Sequence, residues 1–196
     1  PVLPAQPNPD RVLVLGAAGG VGTVAVQLAA RVARCEVVAT ASRPESAAHC
    51  ERQGARHVVD HGQPLKPQLE ALGLPPLPLV LCLADPVVWL APLAEVMAPF
   101  GHLCCLTEAS ADLPMNALRP KSLTFSWEGM FTRAIHATPD MGQQGAILDR
   151  VAALVDDGVV RSPLGRTLGP VDAATMRLGH ELLAQGHAIG KYVLEN

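Results

Sequence analysis

The stretch that decides the fold is Gly16-Ala17-Ala18-Gly19-Gly20-Val21-Gly22. It follows the short run Arg11-Val-Leu-Val-Leu15, which predicts a buried strand, and it opens a helical segment over 21–32. A second β-rich run, Glu36-Val-Val-Ala-Thr40, comes next at βαβ spacing. Glycine strings also serve as simple turns, but strand, glycine turn, helix and strand in this order favour a dinucleotide-binding unit.

The glycines of this loop are needed for different structural reasons. Gly16 makes the turn out of the strand, and Gly22 lets the helix pack tightly on the sheet. Gly19 and Gly20 let the backbone approach a bound pyrophosphate, which side chains would block. The start of the helix adds unpaired N–H groups and the positive end of its dipole, which suit a doubly negative group.

Alternation of strands and helices continues along the chain. The predicted helices cover 44–53 and 87–97, and the further predicted strands cover 56–60, 79–83, 101–106 and 122–127. Residues 62–78 are rich in proline and predict no defined element. The pattern predicts an α/β fold, a doubly wound parallel sheet of the Rossmann type with helices on both faces.

The end of the chain differs in character. It predicts a helix over 145–157, the run Arg166-Thr-Leu, a helix over 172–185 and a strand over 188–194. We therefore divide the chain into a proline-rich linker over 1–9, a nucleotide-binding domain over 10–160 and a C-terminal helix–strand segment over 161–196.

Composition excludes several classes of partner. The net charge of −3 gives no general attraction for nucleic acid or an anionic membrane. No apolar run reaches the roughly 18 residues that a membrane span needs, and the start lacks the order of a signal peptide. We expect a cytoplasmic protein that binds small molecules.

The tip of the second strand indicates which dinucleotide binds. A carboxylate there binds the ribose of NAD, whereas NADP needs small polar and basic groups. This sequence has no carboxylate at the tip and places Ser42 and Arg43 there, which suit the 2′-phosphate of NADP(H). The alternative for Arg43 is an exposed arginine that caps a loop.

Four further strings accompany the glycine loop: Thr40-Ala-Ser-Arg-Pro-Glu45, Gly54-Ala-Arg-His-Val-Val-Asp-His61, Phe125-Ser-Trp-Glu-Gly-Met-Phe-Thr-Arg133 and Ala188-Ile-Gly-Lys-Tyr-Val-Leu194. With them the chain resembles the quinone oxidoreductase branch of the medium-chain dehydrogenase/reductase superfamily, in the subgroup often labelled zinc-type alcohol dehydrogenase-like. The resemblance covers nearly the whole chain but only the cofactor-binding part of the family. It implies that the N-terminal catalytic domain is missing and that 161–196 would normally join it.

The resemblance also implies which residues contact the cofactor. It assigns the pyrophosphate to Ala18, Gly19, Gly20 and Val21, the 2′-phosphate to Ser42 and Arg43, and the adenosine end to His61, where related proteins often have Tyr. It assigns the nicotinamide half to Leu83, Ala84, Leu106, Thr107, Phe125 and Ser126. The alternative for these last six is a core residue at a strand end. Lys191 could reach a phosphate, or it is simply an exposed lysine.

No catalytic or metal-binding residue is predicted. The only tyrosine, Tyr192, lacks the Tyr-x-x-x-Lys spacing of short-chain dehydrogenases, and the seven histidines form no zinc-binding pattern. The resemblance implies an NADPH-dependent reductase that transfers hydride to a quinone, enone or carbonyl without zinc, and we expect the chain alone to be inactive. Two alternatives remain, a non-catalytic NADPH-sensing module and part of a zinc-dependent alcohol dehydrogenase.

Without its usual partner domain, the C-terminal segment is expected to expose apolar side chains. They are Met176, Leu182, Leu183 and Val193. Such a surface favours self-association, so a homo-oligomer is predicted.

Overall fold

A six-stranded parallel sheet forms the centre of the computed structural model, which describes residues 10–196, so the predicted linker over 1–9 lies outside the described residues. The strands are β1 Arg11–Leu15, β2 Glu36–Thr40, β3 His57–Val59, β4 Leu77–Cys82, β5 Met97–Cys105 and β6 Thr124–Trp127. Their order is β3-β2-β1-β4-β5-β6. The order reverses between β1 and β4, which confirms the doubly wound α/β fold.

Helices cover both faces of the sheet. They are α1 Gly20–Gln27, which continues as a wider π-helical stretch over Leu28–Val32, α2 Pro44–Gln53, α3 Leu65–Ala71 and α4 Pro86–Val96, with a 3-10 helix over Met115–Lys121. Alternate side chains of each strand enter separate cores. Leu13 and Leu15 pack with α3 and α4, whereas Val12 and Val14 pack with α1 and α2.

The proline-rich stretch contains a helix that the sequence analysis missed. Pro64 precedes α3 and Pro67 lies in its first turn, where no intrahelical N–H bond is lost. Leu65 and Leu69, one turn apart, are both buried in the core beside α4. The Gln68 side chain fixes the helix to the end of β3 by bonding both the N–H and the carbonyl of Asp60, at 2.7 and 2.8 Å.

The fifth strand also differs from its prediction, because it begins at Met97 rather than at 101. Met97 pairs with Leu77, and a register shift follows before the regular ladder resumes at His102. Phe100 takes a left-handed conformation, with φ of 62°, within this irregular part. The helix predicted over 87–97 therefore ends one residue earlier, at Val96.

Two charged side chains stabilise strand and helix ends away from the glycine loop. Glu36 accepts hydrogen bonds from Arg11 Nε at 2.7 Å and from His57 Nε2 at 3.0 Å. The bond from Arg11, followed by that from His57, lowers the pKa of the Glu36 carboxyl. Lys121 Nζ donates to three carbonyls at the end of α4, at 2.7 to 3.0 Å.

After β6 the chain forms α5 Thr132–Ile135, α6 Gln143–Asp156, β7 Leu164–Pro170, α7 Ala173–Ala184 and β8 Lys191–Glu195. The two strands pair in parallel as a small separate sheet. None of these three helices has a buried residue. Met176, Leu183 and Val193 are exposed as expected, but Leu182 is partly buried. Self-association stays a prediction.

Within residues 10–196 there is no helix whose length and hydropathy would allow it to cross a membrane.

Candidate nucleotide-binding site

A cleft of about 200 Å³ opens at the carboxyl end of the sheet, where the strand order reverses. In open α/β sheets this is the position where ligands bind. The lining residues come from the glycine loop, from the ends of β4 and β5, and from β8: Gly16, Gly19, Gly20, Val21, Gly22, Leu83, Leu106, Thr107 and Lys191.

The turn out of β1 is held by a neighbouring strand. Gly16 takes the left-handed conformation, with φ of 78°, and its N–H donates to Thr40 Oγ1 at 3.1 Å. Gly19 N–H then donates back to the Gly16 carbonyl at 3.3 Å. Thr40 is 1% exposed at the tip of β2. The sequence analysis did not single it out, and its hydroxyl at a strand tip beside the loop was the available signal.

Position 22, in the first turn of α1, has no room for a side chain. A Cβ at this position would lie 2.4 Å from the Gly16 carbonyl oxygen and 2.5 Å from that of Ala17. Both obstacles are backbone atoms, so they cannot rotate away. The helix therefore begins directly against the loop, as the sequence predicts.

The start of α1 is electrostatically suited to an anion. Its first turn contains no acidic residue and its N-cap makes no side-chain hydrogen bond. Gly20, Val21 and Gly22 thus present N–H groups toward the cleft with the positive end of the helix dipole behind them. Ala18 does not line the cleft. Its carbonyl accepts instead from Gly190 N–H at 2.9 Å.

The ends of β2 and β3 lie side by side. Thr40 pairs with Val59, and the N–H of the next residue, Ala41, donates to the Val59 carbonyl at 3.0 Å. The two residues that follow the tip of β2, Ser42 and Arg43, are therefore brought close to the end of β3. Ser42 is exposed to solvent.

Arg43 has two roles in the structure. It is the N-cap residue of α2, where its carbonyl accepts from Ser46 Oγ at 2.9 Å. Its guanidinium donates to the His187 carbonyl of the C-terminal segment at 2.7 Å. The side chain thus bridges two parts of the chain and keeps further donors available.

His61 follows β3 and packs edge-on against Trp89, with ring centroids 6.1 Å apart. Its Nδ1 atom is buried and has no hydrogen-bond partner among the described residues. A buried polar atom without a partner is costly, and it is a feature typical of a position that a ligand completes.

The ends of β4 and β5 form the other wall of the cleft. Leu83 and Leu106 supply apolar surface, and Thr107 Oγ1 donates to the Ala84 carbonyl at 2.6 Å, which ties the two strand ends together. Ala84 and the remaining two predicted positions, Phe125 and Ser126, are not among the residues that line the cleft.

Phe125 and Ser126 have partners elsewhere on the sheet. Phe125 packs against the core and contacts Trp127 edge-on, with centroids 5.1 Å apart. Ser126 Oγ lies 2.7 Å from His102 Nε2 of β5. These contacts favour the structural alternative for both residues.

A polar pocket follows β6, lined by Trp127, Glu128, Gly129, Thr132, Arg133 and Asp140. Arg133 Nε lies 3.1 Å from Asp140 Oδ2. A hydrogen bond from the Thr138 side chain, followed by that from Arg133, lowers the pKa of Asp140. The pair closes one side of the pocket.

The described part of the chain brings together no group of three or more His, Cys, Asp or Glu side chains that could hold a metal ion. Residues 10–196 therefore do not fit a zinc site.

The sequence profile of a zinc-binding dehydrogenase family matches residues 53–194. The chain belongs to this family. It is thereby a zinc-binding dehydrogenase relative within the medium-chain dehydrogenase/reductase superfamily, a group of oxidoreductases.

Relatives of the chain are similar along nearly its whole length. A zinc-type alcohol dehydrogenase-like protein of Staphylococcus aureus strain MSSA476 is 32% identical over 97% of the chain. The crystal structure of a candidate zinc-dependent alcohol dehydrogenase of Rhizobium etli CFN 42 is 39% identical and covers all of the chain, with a TM-score of 0.89.

A mycobacterial protein complexed with NADPH shares the fold at 22% identity, with a TM-score of 0.77 over 95% of this chain and 56% of its own. The match spans 57% of the Staphylococcus relative and 56% of the Rhizobium protein. The chain therefore corresponds to little more than half the length of its relatives.

Proposed function

We propose that this chain binds NADP(H) for an oxidoreductase that transfers hydride to a quinone, an enone or a carbonyl compound. The glycine loop carries the proposal. Its backbone is fixed by the Thr40 hydroxyl, no side chain fits at Gly22, and the first N–H groups of α1 open into the cleft at the switch point of the sheet.

The proposed pyrophosphate position lies over Gly19, Gly20 and Val21, whose backbone faces the cleft. Ala18 contributes indirectly, because its carbonyl anchors the C-terminal segment beside the loop. Backbone N–H groups at a helix start bind a diphosphate without any change in side-chain protonation.

The choice of NADP(H) over NAD rests on the ends of β2 and β3. The guanidinium of Arg43 and the hydroxyl of Ser42 are donors for a 2′-phosphate, and no carboxylate stands at the tip to bind a free ribose hydroxyl. The unpartnered His61 Nδ1 adds a donor or acceptor at the adenosine end. The mycobacterial protein with bound NADPH has the same fold.

The nicotinamide half is proposed to lie against Leu83, Leu106 and Thr107, with the Ala84 carbonyl held by the Thr107 hydroxyl. These apolar side chains exclude water from one side of the ring. The bound cofactor supplies the hydride, and the protein positions it against the acceptor. In this proposal the described residues form the cofactor side of the site.

Calorimetric titration of the chain with NADPH and with NADH tests the proposal. We expect NADPH to bind more tightly, and Arg43→Gln to raise its Kd about tenfold, since one charge-assisted hydrogen bond contributes about 1.4 kcal/mol or more. Arg150→Gln, on the exposed face of α6, is the matched control and should leave both constants unchanged. Absence of binding by either nucleotide would refute the cofactor site, and equal weakening of both would refute the 2′-phosphate role of Arg43.

A further inference from the structure

Two cysteines on neighbouring strands face each other in the core of the sheet. Cys82, the last residue of β4, is paired in the parallel ladder with Cys105, the last residue of β5. Both thiols are reduced, and both side chains are buried in the core that α3 and α4 cover. The sequence analysis did not single out this pair, because the register of β4 against β5 joins segments that are distant in the chain.

The pairing of the strands brings the two cysteines within reach of a disulfide. Neighbouring strands lie about 4.7–4.9 Å apart, and a disulfide needs Cα atoms that are about 4.4–6.8 Å apart. Both side chains point into the same core, as residues paired across a ladder do. Cys104 is adjacent to Cys105 in the chain, but it pairs with Leu81, whose side chain packs on the opposite face of the sheet. The fold therefore favours Cys105 over Cys104 as the partner of Cys82.

The two thiols of the pair differ in acidity. The Cys105 thiol hydrogen-bonds to Cys82, and this bond lowers the pKa of Cys82 and raises the pKa of Cys105. Because the thiolate is the reactive form of cysteine, Cys82 is the nucleophile of the pair and Cys105 is the second thiol that completes a disulfide. Cys50 offers a comparison within the chain. It is equally buried on the other face of the sheet, where burial raises its pKa to about 11.

The pair lies directly behind one wall of the cleft. The residues that follow the two cysteines, Leu83 and Leu106, both line the cleft, and the Cys82 thiol donates to the Ala84 carbonyl at 3.3 Å. The cleft thus comes within one residue of each cysteine, although neither cysteine is exposed. Local opening of the strand ends admits only small molecules to such a position. Hydrogen peroxide, which is neutral and little larger than water, meets this requirement.

We propose that Cys82 and Cys105 form a peroxide-sensitive dithiol site, in which hydrogen peroxide converts the two thiols to a reversible disulfide. This inference goes beyond the proposed cofactor function and does not depend on it. The disulfide joins the ends of β4 and β5, the two strands that carry Leu83 and Leu106 to the cleft.

The reaction has two steps. In the first, the Cys82 thiolate attacks one oxygen of the peroxide, the O–O bond breaks, and the hydroxide that leaves takes up the proton released by the thiol. In the second, the Cys105 thiol attacks the sulfur of the resulting sulfenic acid, the S–S bond forms and water leaves. Two thiols are oxidised to one disulfide, and one peroxide is reduced to two molecules of water.

The test treats the folded chain with hydrogen peroxide, digests it with a protease that cleaves after glutamate, and maps the peptides by mass spectrometry. Cleavage at Glu95 separates Cys82 from Cys105, so a disulfide between them links two peptides. We expect these linked peptides to form with peroxide and to separate again on treatment with dithiothreitol. Cys50 should react at least about tenfold more slowly than Cys82, because less of it is thiolate.

Two variants separate the pair from its neighbour. Cys104→Ser should keep the linked peptides, whereas Cys105→Ser should leave Cys82 as a sulfenic acid that dimedone traps. The unmodified chain carries the main test, so the result does not depend on the folding of a core variant. Reduced thiols at both Cys82 and Cys105 after peroxide treatment would overturn the proposal. A bond from Cys82 to Cys104, or a bond to Cys105 that forms as readily in urea-unfolded protein as in the folded chain, would also overturn it.

Discussion

Gly22→Ala is the substitution for which local propensity and the structure predict opposite results. Replacing glycine by alanine inside a helix stabilises it by about 0.5–1 kcal/mol on propensity alone. At Gly22, however, the new Cβ would meet the Gly16 and Ala17 carbonyl oxygens at 2.4 and 2.5 Å, where ordinary contacts begin at 3.4 Å. The loop or the helix must therefore shift by about 1 Å, since neither obstacle is a movable side chain.

Overpacking of this kind costs about 1–3 kcal/mol, which exceeds the gain from propensity. Subtracting the gain from propensity leaves a net cost of up to about 2.5 kcal/mol, and each kcal/mol corresponds to about 2–4 °C in Tm for a chain of this size, so we expect the Tm to fall by up to about 10 °C. Circular dichroism during heating and urea unfolding measure the change. NADPH affinity should fall as well, because the shifted atoms form the floor of the proposed phosphate site.

Gly145→Ala is the matched control. Gly145 lies in α6, and a Cβ there would meet nothing within 4 Å. Propensity should act alone, so this variant is expected to gain about 0.5–1 kcal/mol. An equal or higher Tm for Gly22→Ala than for the unmodified chain would refute the argument from loop geometry. A loss of stability in Gly145→Ala would refute the assumption that helix propensity alone favours alanine over glycine.

Three further changes test the packing that supports the site. Glu36→Gln should cost about 1–2 kcal/mol at neutral pH by urea unfolding, because Arg11 loses its charged acceptor. The pKa of Glu36 is lowered in the folded protein, so its contribution to stability is fully present above the ordinary pKa of about 4.3 and is lost as the pH falls through the folded value. The free energies of unfolding of the variant and the unmodified chain should therefore converge in acid. Lys121→Met should cost about 1–2 kcal/mol in the same assay, because three carbonyls at the end of α4 lose their donor; an unchanged midpoint would contradict this role. Thr40→Val should cost about 1–2 kcal/mol and weaken NADPH binding, because Gly16 N–H loses its acceptor, whereas intact binding would show that the loop does not depend on it.

The sequence predicted those elements whose determinants are local. β1, β2 and α2 have the predicted bounds, because each is delimited by glycine, proline or a charged residue next to a clear run. α3 was missed because its prolines suggest a loop, although proline in the first turn of a helix removes no hydrogen bond. The early start of β5 depends on pairing with Leu77, which no local pattern shows.

The candidate site, too, can be predicted where its geometry depends on the local sequence and not where it depends on packing against other elements. The glycine loop could be recognised from strand, turn and helix order, because its geometry follows from the chain around it. Leu83, Leu106 and Thr107 reach the cleft because the carboxyl ends of parallel strands meet at one edge. Phe125 is near the same edge but packs into the core instead, and such packing depends on side chains from other elements.

The division of the chain at 160/161 stays a prediction, and the C-terminal segment over 161–196 is hydrogen-bonded to elements of the candidate site. Several hydrogen bonds connect the segment to these elements, among them one from Gln27 Nε2 to the Arg161 carbonyl at 3.1 Å. Arg161 N–H donates to Gln27 Oε1 in α1 at 2.7 Å. Gly190 N–H donates to the Ala18 carbonyl, and the Arg43 guanidinium donates to the His187 carbonyl.

These hydrogen bonds connect the segment to the candidate site, while its one helix, α7, buries no residue. Polar contacts of this kind fix position with a modest net contribution to stability, about 0.5–1.5 kcal/mol each. A ligand in the cleft, which is lined by the glycine loop and by Lys191, would contact residues on both sides of the 160/161 division. Cofactor binding and docking of the C-terminal segment should therefore be thermodynamically linked, with each favouring the other.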